Sequence, residues 1–148
     1  MKPTNEVKIV FDSKSINESF ARGVVSAFVA QLDPTIEELA DIKTAVSEAV
    51  TNCVVHAYPN QIGKVYITAR IYGDDRVVIL IKDKGVGIPD ISQAMQAGFT
   101  TGAEDRAGMG FAVMQAFCSG VKLRSVLGKG TTVTLEKRIA KQRPIYNR

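Results

Sequence analysis
The sequence is poor in the residues that mark several large protein classes. Its 148 residues include two cysteines, one histidine and no tryptophan. Cys53 and Cys118 lie far apart, in no C-x-x-C pair and beside no histidine cluster, so neither a disulfide framework nor a structural zinc site is expected. They read as two ordinary semi-buried thiols of a reduced, cytoplasmic chain. No apolar run approaches the roughly 18 residues of a membrane span. The opening MKPTNEVKIV has no apolar centre of the kind a secretory leader carries.

Basic character is also scarce outside one place. The formal charge is +4, yet Lys137 to Arg148 alone hold five basic side chains and no acidic one. Without that stretch the balance is 14 basic to 15 acidic residues, a net charge of −1. A nucleic-acid-binding face is therefore not expected, and there is no pattern of aromatic residues interleaved with basic ones. The last residues, about 139–148, read as a frayed, solvated tail.

What is present is globular. Hydrophobic residues at 45% and charged ones at 23% are ordinary values. The length suits one domain, residues 1–148, with a core that needs no staples. Val7 to Phe11 predicts a strand. Phe20, Val24, Ala27, Phe28 and Leu32 predict an amphipathic helix over 19–32. A second helix opens at Asp33-Pro34, overlapped by the capping box Thr35-x-x-Glu38, and runs to Pro59. Its apolar positions are Ile36, Leu39, Ile42, Val46, Ala49, Val50, Cys53 and Ala57. Lys64 to Tyr72 alternates as a strand, Asp74-Asp75 turns the chain, and Val77 to Ile81 reads as a strand buried on both faces. Residues 83–110 hold six glycines and little periodicity, and about twenty of them read as a mobile segment, of a length that is usually functional or disordered. A helix over Phe111–Phe117 and a hairpin around Leu127-Gly128-Lys129-Gly130 complete an α+β order: a mostly antiparallel sheet with helices on one face.

Four weak chemical signals stand along this frame. Glu48 and Asn52 lie four apart, about 40° around a helix axis. They offer a proton acceptor and a neutral oxygen for a hard cation such as Mg²⁺, though such a pair equally fits a solvated face. Asp83-Lys84-Gly85-Val86-Gly87 follows a strand, where backbone can approach a ligand and Asp83 can accept from an amine, or where the chain simply turns. Gly108-Met109-Gly110 precedes a helix, whose free N–H groups suit phosphate. Gly130-Thr131-Thr132 alone is a hairpin turn. No P-loop is present, because Gly128-Lys129 leads to Gly130. A dinucleotide fingerprint is excluded by the missing third glycine and the missing parallel βαβ context.

Taken in order, E-x-x-x-N, D-x-G-x-G, a long lid, G-x-G and G-T-T resemble the GHKL ATPase superfamily (gyrase, Hsp90, histidine kinase, MutL). Its nucleotide site is the Bergerat fold, an α/β sandwich with a flexible ATP lid. Asn17 to Arg22, Ala30 to Thr35, Ser47 to Asn52, Phe99-Thr100-Thr101 and Gly108 to Phe111 are similar to the sporulation anti-sigma F factors. The resemblance implies a serine protein kinase that also clamps a sigma factor, with ATP and Mg²⁺, an antagonist protein as substrate, and a homodimer as its form. It implies Glu48 as catalytic base, Asn52 as Mg²⁺ ligand, and Asp83, Gly85 and Gly87 at the adenine. Thr132 would support the base, and Gly108, Gly110 and Arg106 the phosphates. Glu18 and Arg22 would meet the protein partners. Where relatives continue F-T-T with Lys-Pro, this chain has Gly102-Ala103, which implies a looser lid. His56, one turn beyond Asn52, reads as structural, since only 47 residues precede Glu48 and no separate phosphoacceptor helix stands there. A general-stress anti-sigma kinase, a clamp that transfers nothing, and a stand-alone or histidine-kinase ATPase are the alternatives.

Overall fold
The computed structural model describes residues 1–89 and 105–140, with backbone alone for 105–109. Five strands form one sheet: β1 (Asn5–Asp12), β2 (Lys64–Tyr72), β3 (Arg76–Asp83), β4 (Gly120–Val126) and β5 (Gly130–Arg138). Their spatial order is β1-β2-β3-β5-β4, and all four ladders are antiparallel. Three helices, α1 (Asn17–Val29), α2 (Ile36–Asn52) and α3 (Asp105–Phe117), pack on it.

The helices cover one face. Val65, Ile67, Ala69 and Ile71 of β2 are buried, as are Val77, Ile79 and Ile81 of β3 and Val133 and Leu135 of β5. Their neighbours point the other way and stay half exposed. That corrects the reading of 77–81 as buried on both faces. Val78 and Leu80 lie on the helix-free side, where apolar residues are tolerated in a strand without full cover. α2 is the central helix, contributing Ile42, Ala45, Val46, Ala49 and Val50 to the core.

The helix boundaries show which local signals governed. Thr35 is the N-cap of α2: its hydroxyl accepts from Glu38 N at 3.0 Å while Glu38 Oε1 accepts from Thr35 N at 2.9 Å. Asp33 instead sits at φ 52, ending a 3₁₀ turn over Ala30–Leu32. The capping box therefore overrode the Asp-Pro start. On α1 the buried face is Ala21, Val25 and Val29, one position round from the expected stripe, and Phe20 is 52% exposed. Small residues face the core because α1 also packs against α2, where bulk would not fit. The basic C-terminus does not begin as a tail. Lys137 and Arg138 belong to β5, and Lys137 Nζ binds Asp41 at 3.0 Å and the Phe117 carbonyl at 2.7 Å. Residues 141–148 lie outside the described residues. No helix among the described residues is long and apolar enough to cross a membrane.

Candidate functional site
The site forms where three elements converge: the end of α2, the loop after β3, and the β4–β5 hairpin. α2 does not simply stop. Cys53–Ala57 continues it as a π-helical turn, a local widening often found at functional sites. The reason lies in the contact it makes. Val86 N donates to the Ala57 carbonyl at 2.9 Å, and a Cβ on Gly85 would collide with that same carbonyl. Glycine at 85 is thus required by close backbone approach. Tyr58 clamps the junction, donating to the Lys64 carbonyl at 2.6 Å and accepting from Lys84 N at 2.7 Å.

Inside this junction lies a cleft of about 60 Å³. Its walls are mostly apolar, with Ile81, Ile88, Phe111 and Val133 among them, and its polar groups are Asn52, His56, Asp83 and Thr131. Asp83 is only 6% exposed. Its Oδ1 accepts from Gly85 N at 3.0 Å and Thr131 N at 3.2 Å, which leaves Oδ2 to the Cys53 thiol at 3.6 Å. Burial raises the Asp83 carboxyl above its ordinary value, against the hydrogen bonds from Gly85, Cys53 and Thr131 that favour ionisation. Burial also lifts the Cys53 thiol well above the usual range, with the Asp83 charge adding to it. Cys53 is consequently a thiol donor and no nucleophile.

Asn52 sits in the wall of this cleft. Its Nδ2 and Oδ1 are both buried and neither has a hydrogen-bond partner. Buried amides left unmatched cost about 1–3 kcal/mol, so such an arrangement points to a ligand. Gly110 of α3 lies directly over it: a Cβ there would stand 3.2 Å from Glu48 Oε2 and 3.5 Å from Asn52 Nδ2. Glu48 also opens the other way. With Arg22, Lys43, Thr44 and Ser47 it lines a groove of about 350 Å³ beside α1 and α2. Arg22 Nη1 donates to Ser47 Oγ at 2.9 Å, and Thr51 Oγ1 donates to Glu18 Oε1 at 2.6 Å.

The structure therefore joins most of the expected residues and separates Thr132 from them. Glu48, Asn52, Asp83, Gly85, Gly87 and Gly110 converge, and Glu18 and Arg22 flank them. Thr132 does not join. It pairs with Lys82 on the helix-free side, while Thr131, paired with Asp83, faces the cleft. Strand alternation decides between neighbouring threonines, and β5 begins at Gly130. The G-x-G glycines do not open a helix either, because α3 starts at Asp105. Gly108 closes its first turn, and Gly110 lies beyond it, where N–H groups already have intrahelical acceptors. Gly110 serves the close packing of α3 on α2 instead. The Arg106 side chain and the expected lid, with Phe99-Thr100-Thr101 and Gly102-Ala103, fall outside the described residues. Sequence reasoning missed Cys53 and Thr131. The first was legible only as a core position of α2, and the second needed the strand register.

The chain is similar to several known proteins. Residues 12–137 match the family described as a histidine kinase-like ATPase domain. The anti-sigma F factor of Caldanaerobacter subterraneus subsp. tengcongensis is 56% identical over 144 residues, 97% of this chain and 100% of that one. That of Geobacillus kaustophilus is 50% identical over 97% of this chain and 99% of its own length. Among solved structures, the RsbU and RsbW domains of a Mycobacterium tuberculosis protein superpose with a TM-score of 0.68 at 23% identity, covering 95% of this chain and 34% of that one. A blue-light activated histidine kinase domain from Erythrobacter litoralis gives 0.56 at 16% identity, over 82% of this chain and 60% of that one. The two structural likenesses establish the fold. With the fold, the cleft and near-complete coverage at 50% identity or more, the chain belongs to the anti-sigma F factor family, on a histidine kinase-like ATPase domain.

Proposed function
We propose that this chain holds a sporulation sigma factor inactive and uses ATP to phosphorylate a serine of that factor's protein antagonist. The observation that carries the reading is the position of Glu48. One side of its carboxylate neighbours Asn52 and Gly110 at the nucleotide cleft, and the other opens onto the groove with Arg22. A general base for phosphoryl transfer to a protein has to face both the nucleotide and the incoming chain.

The roles follow from the donors and acceptors available. The ionised Asp83, with Oδ1 held by backbone N–H groups, presents Oδ2 to an exocyclic amine, as on adenine. The apolar walls exclude water from the base. Glu48 takes the proton of the serine hydroxyl as its oxygen bonds to the γ-phosphorus and the bond to the β-phosphate oxygen breaks. Asn52 Oδ1 supplies one neutral oxygen. Among the described residues no group of three or more His, Cys, Asp or Glu could hold a metal alone. A Mg²⁺ fits here only as an ion shared between Asn52 and the phosphates, where it would neutralise their charge. Arg22 and Glu18, braced by Ser47 and Thr51, would meet the protein partners. A homodimer and a cytoplasmic location complete the reading, and both rest on the family resemblance.

Incubation with γ-labelled ATP, Mg²⁺ and the antagonist tests this. Acid-stable label on the antagonist is expected, and Glu48→Gln should reduce it by about 10²–10⁴-fold with sigma binding retained. Transfer at the wild-type rate in Glu48→Gln would refute the base. Bound ATP without any transfer by the wild-type chain would favour a clamp that performs no chemistry.

A further inference from the structure
Just behind the cleft wall, on β4, Ser125 makes more hydrogen bonds than its half-buried position requires. Its Oγ accepts from Ile88 N at 2.7 Å, lies 2.8 Å from Thr131 Oγ1 and 3.2 Å from the Gly130 carbonyl. Ser125 and Thr131 are directly paired across the β4–β5 ladder. Ile88 and Thr131 line the cleft, and Ser125 does not. One serine thus holds two walls of the nucleotide site while touching none of its volume.

We propose that Ser125 is a positioning residue that sets the hydrogen-bond polarity of Thr131 toward the base. This deepens the ATP reading above and rests on it. The argument is a count of protons. Ser125 has one proton and two acceptors within reach, the Gly130 carbonyl and Thr131 Oγ1. When it donates to Gly130, Thr131 donates back to Ser125 and can only accept from the cleft. When it donates to Thr131, the threonine proton is released into the cleft. Thr131 stands beside Asp83, bonded to it through its own N–H. A ligand edge that fits this pair carries a donor for Asp83 next to an acceptor for Thr131. Adenine has that edge, with its amine beside ring nitrogen N1, whereas guanine reverses it. Ser125 also fixes the Thr131 rotamer, so the proton is delivered in one direction.

An isosteric pair tests this, with binding read by calorimetry and folding by circular dichroism. The probes are ATP and 1-deaza-ATP, which lacks the N1 acceptor. Wild type and Ser125→Thr should prefer ATP over 1-deaza-ATP by about fivefold to tenfold, the worth of one hydrogen bond. Ser125→Val, equal in shape to Thr but without the hydroxyl, should bind ATP more weakly by a similar factor and lose the preference. Should valine prevent folding, Ser125→Ala gives the same ratio. A preference unchanged in the hydroxyl-free variant would overturn the proposal, since a packing role would weaken both ligands equally. A wild-type chain that binds ATP but shows no preference over 1-deaza-ATP would overturn it too, with the nucleotide reading intact. A wild-type chain that binds neither would remove the nucleotide reading itself.

Discussion

The two ends of α2 are built in opposite ways. At the N-terminus local rules are met: Thr35 and Glu38 form a reciprocal capping box, Glu37 and Glu38 sit in the first turn, and Glu38 Oε2 further accepts from Ala140 N at 2.9 Å. At the C-terminus they are broken. The helix widens into a π turn, no basic residue stands in its last α-helical turn, and the Asn52 side-chain amide atoms are buried without a hydrogen-bond partner. One end is locally satisfied and the other leaves polar atoms unmatched. A stable helix can carry such a defect because its opposite end is over-satisfied.

The largest test of this contrast is Gly85→Ala. The new methyl would push the loop off the Ala57 carbonyl and break the bond from Val86 N, so a loss of about 3 kcal/mol is expected in urea unfolding. A variant as stable as wild type would mean the π turn is not pinned by that contact. Asn52→Ala should act in the reverse sense. Removing two unmatched buried polar atoms should stabilise the ligand-free chain by about 1 kcal/mol while abolishing measurable nucleotide binding. Thr35→Ala, at the satisfied end, should cost about 1 kcal/mol and leave nucleotide affinity alone. If instead it weakened binding, the two ends would not be independent.

The smallest effect concerns pH. Asp83 has a raised carboxyl value in the folded chain, chiefly from burial. Between the unfolded value and that raised value the native state holds the extra proton. The contribution of Asp83 therefore favours folding in acid and is lost as pH rises through its folded value. Urea midpoints of wild type and Asp83→Asn should converge at low pH and separate toward neutrality, with the asparagine variant the more stable. Parallel curves would show that burial of the charge carries no such penalty.

How far the sequence alone reaches is clear from these same residues. Patterns spanning one element were readable: the Thr35-x-x-Glu38 cap, the alternation of β2, the Glu48–Asn52 face. So was the ordered set of short motifs, which placed the α+β fold and most of the cleft. What stayed hidden depends on contacts between elements. The π turn exists because Gly85 docks on Ala57, 28 positions earlier in the chain. The choice of Thr131 over Thr132 is set by β3–β5 register, and the shifted face of α1 by its packing on α2. Cys53 reads as core from periodicity, and only the approach of Asp83 turns it into a donor at the site.

The strand order has a consequence for how the molecule is made. β5, which lies inside the sheet between β3 and β4, is its last strand in chain order. During synthesis β1, β2 and β3 can pair as they emerge, yet the far edge of β3 stays open until residues 130–138 follow. Asp83 ends that edge, and its Thr131 partner arrives with the closing strand. A nascent chain therefore has no finished nucleotide cleft until its sheet is closed, which makes nucleotide capture a report that β5 has been inserted.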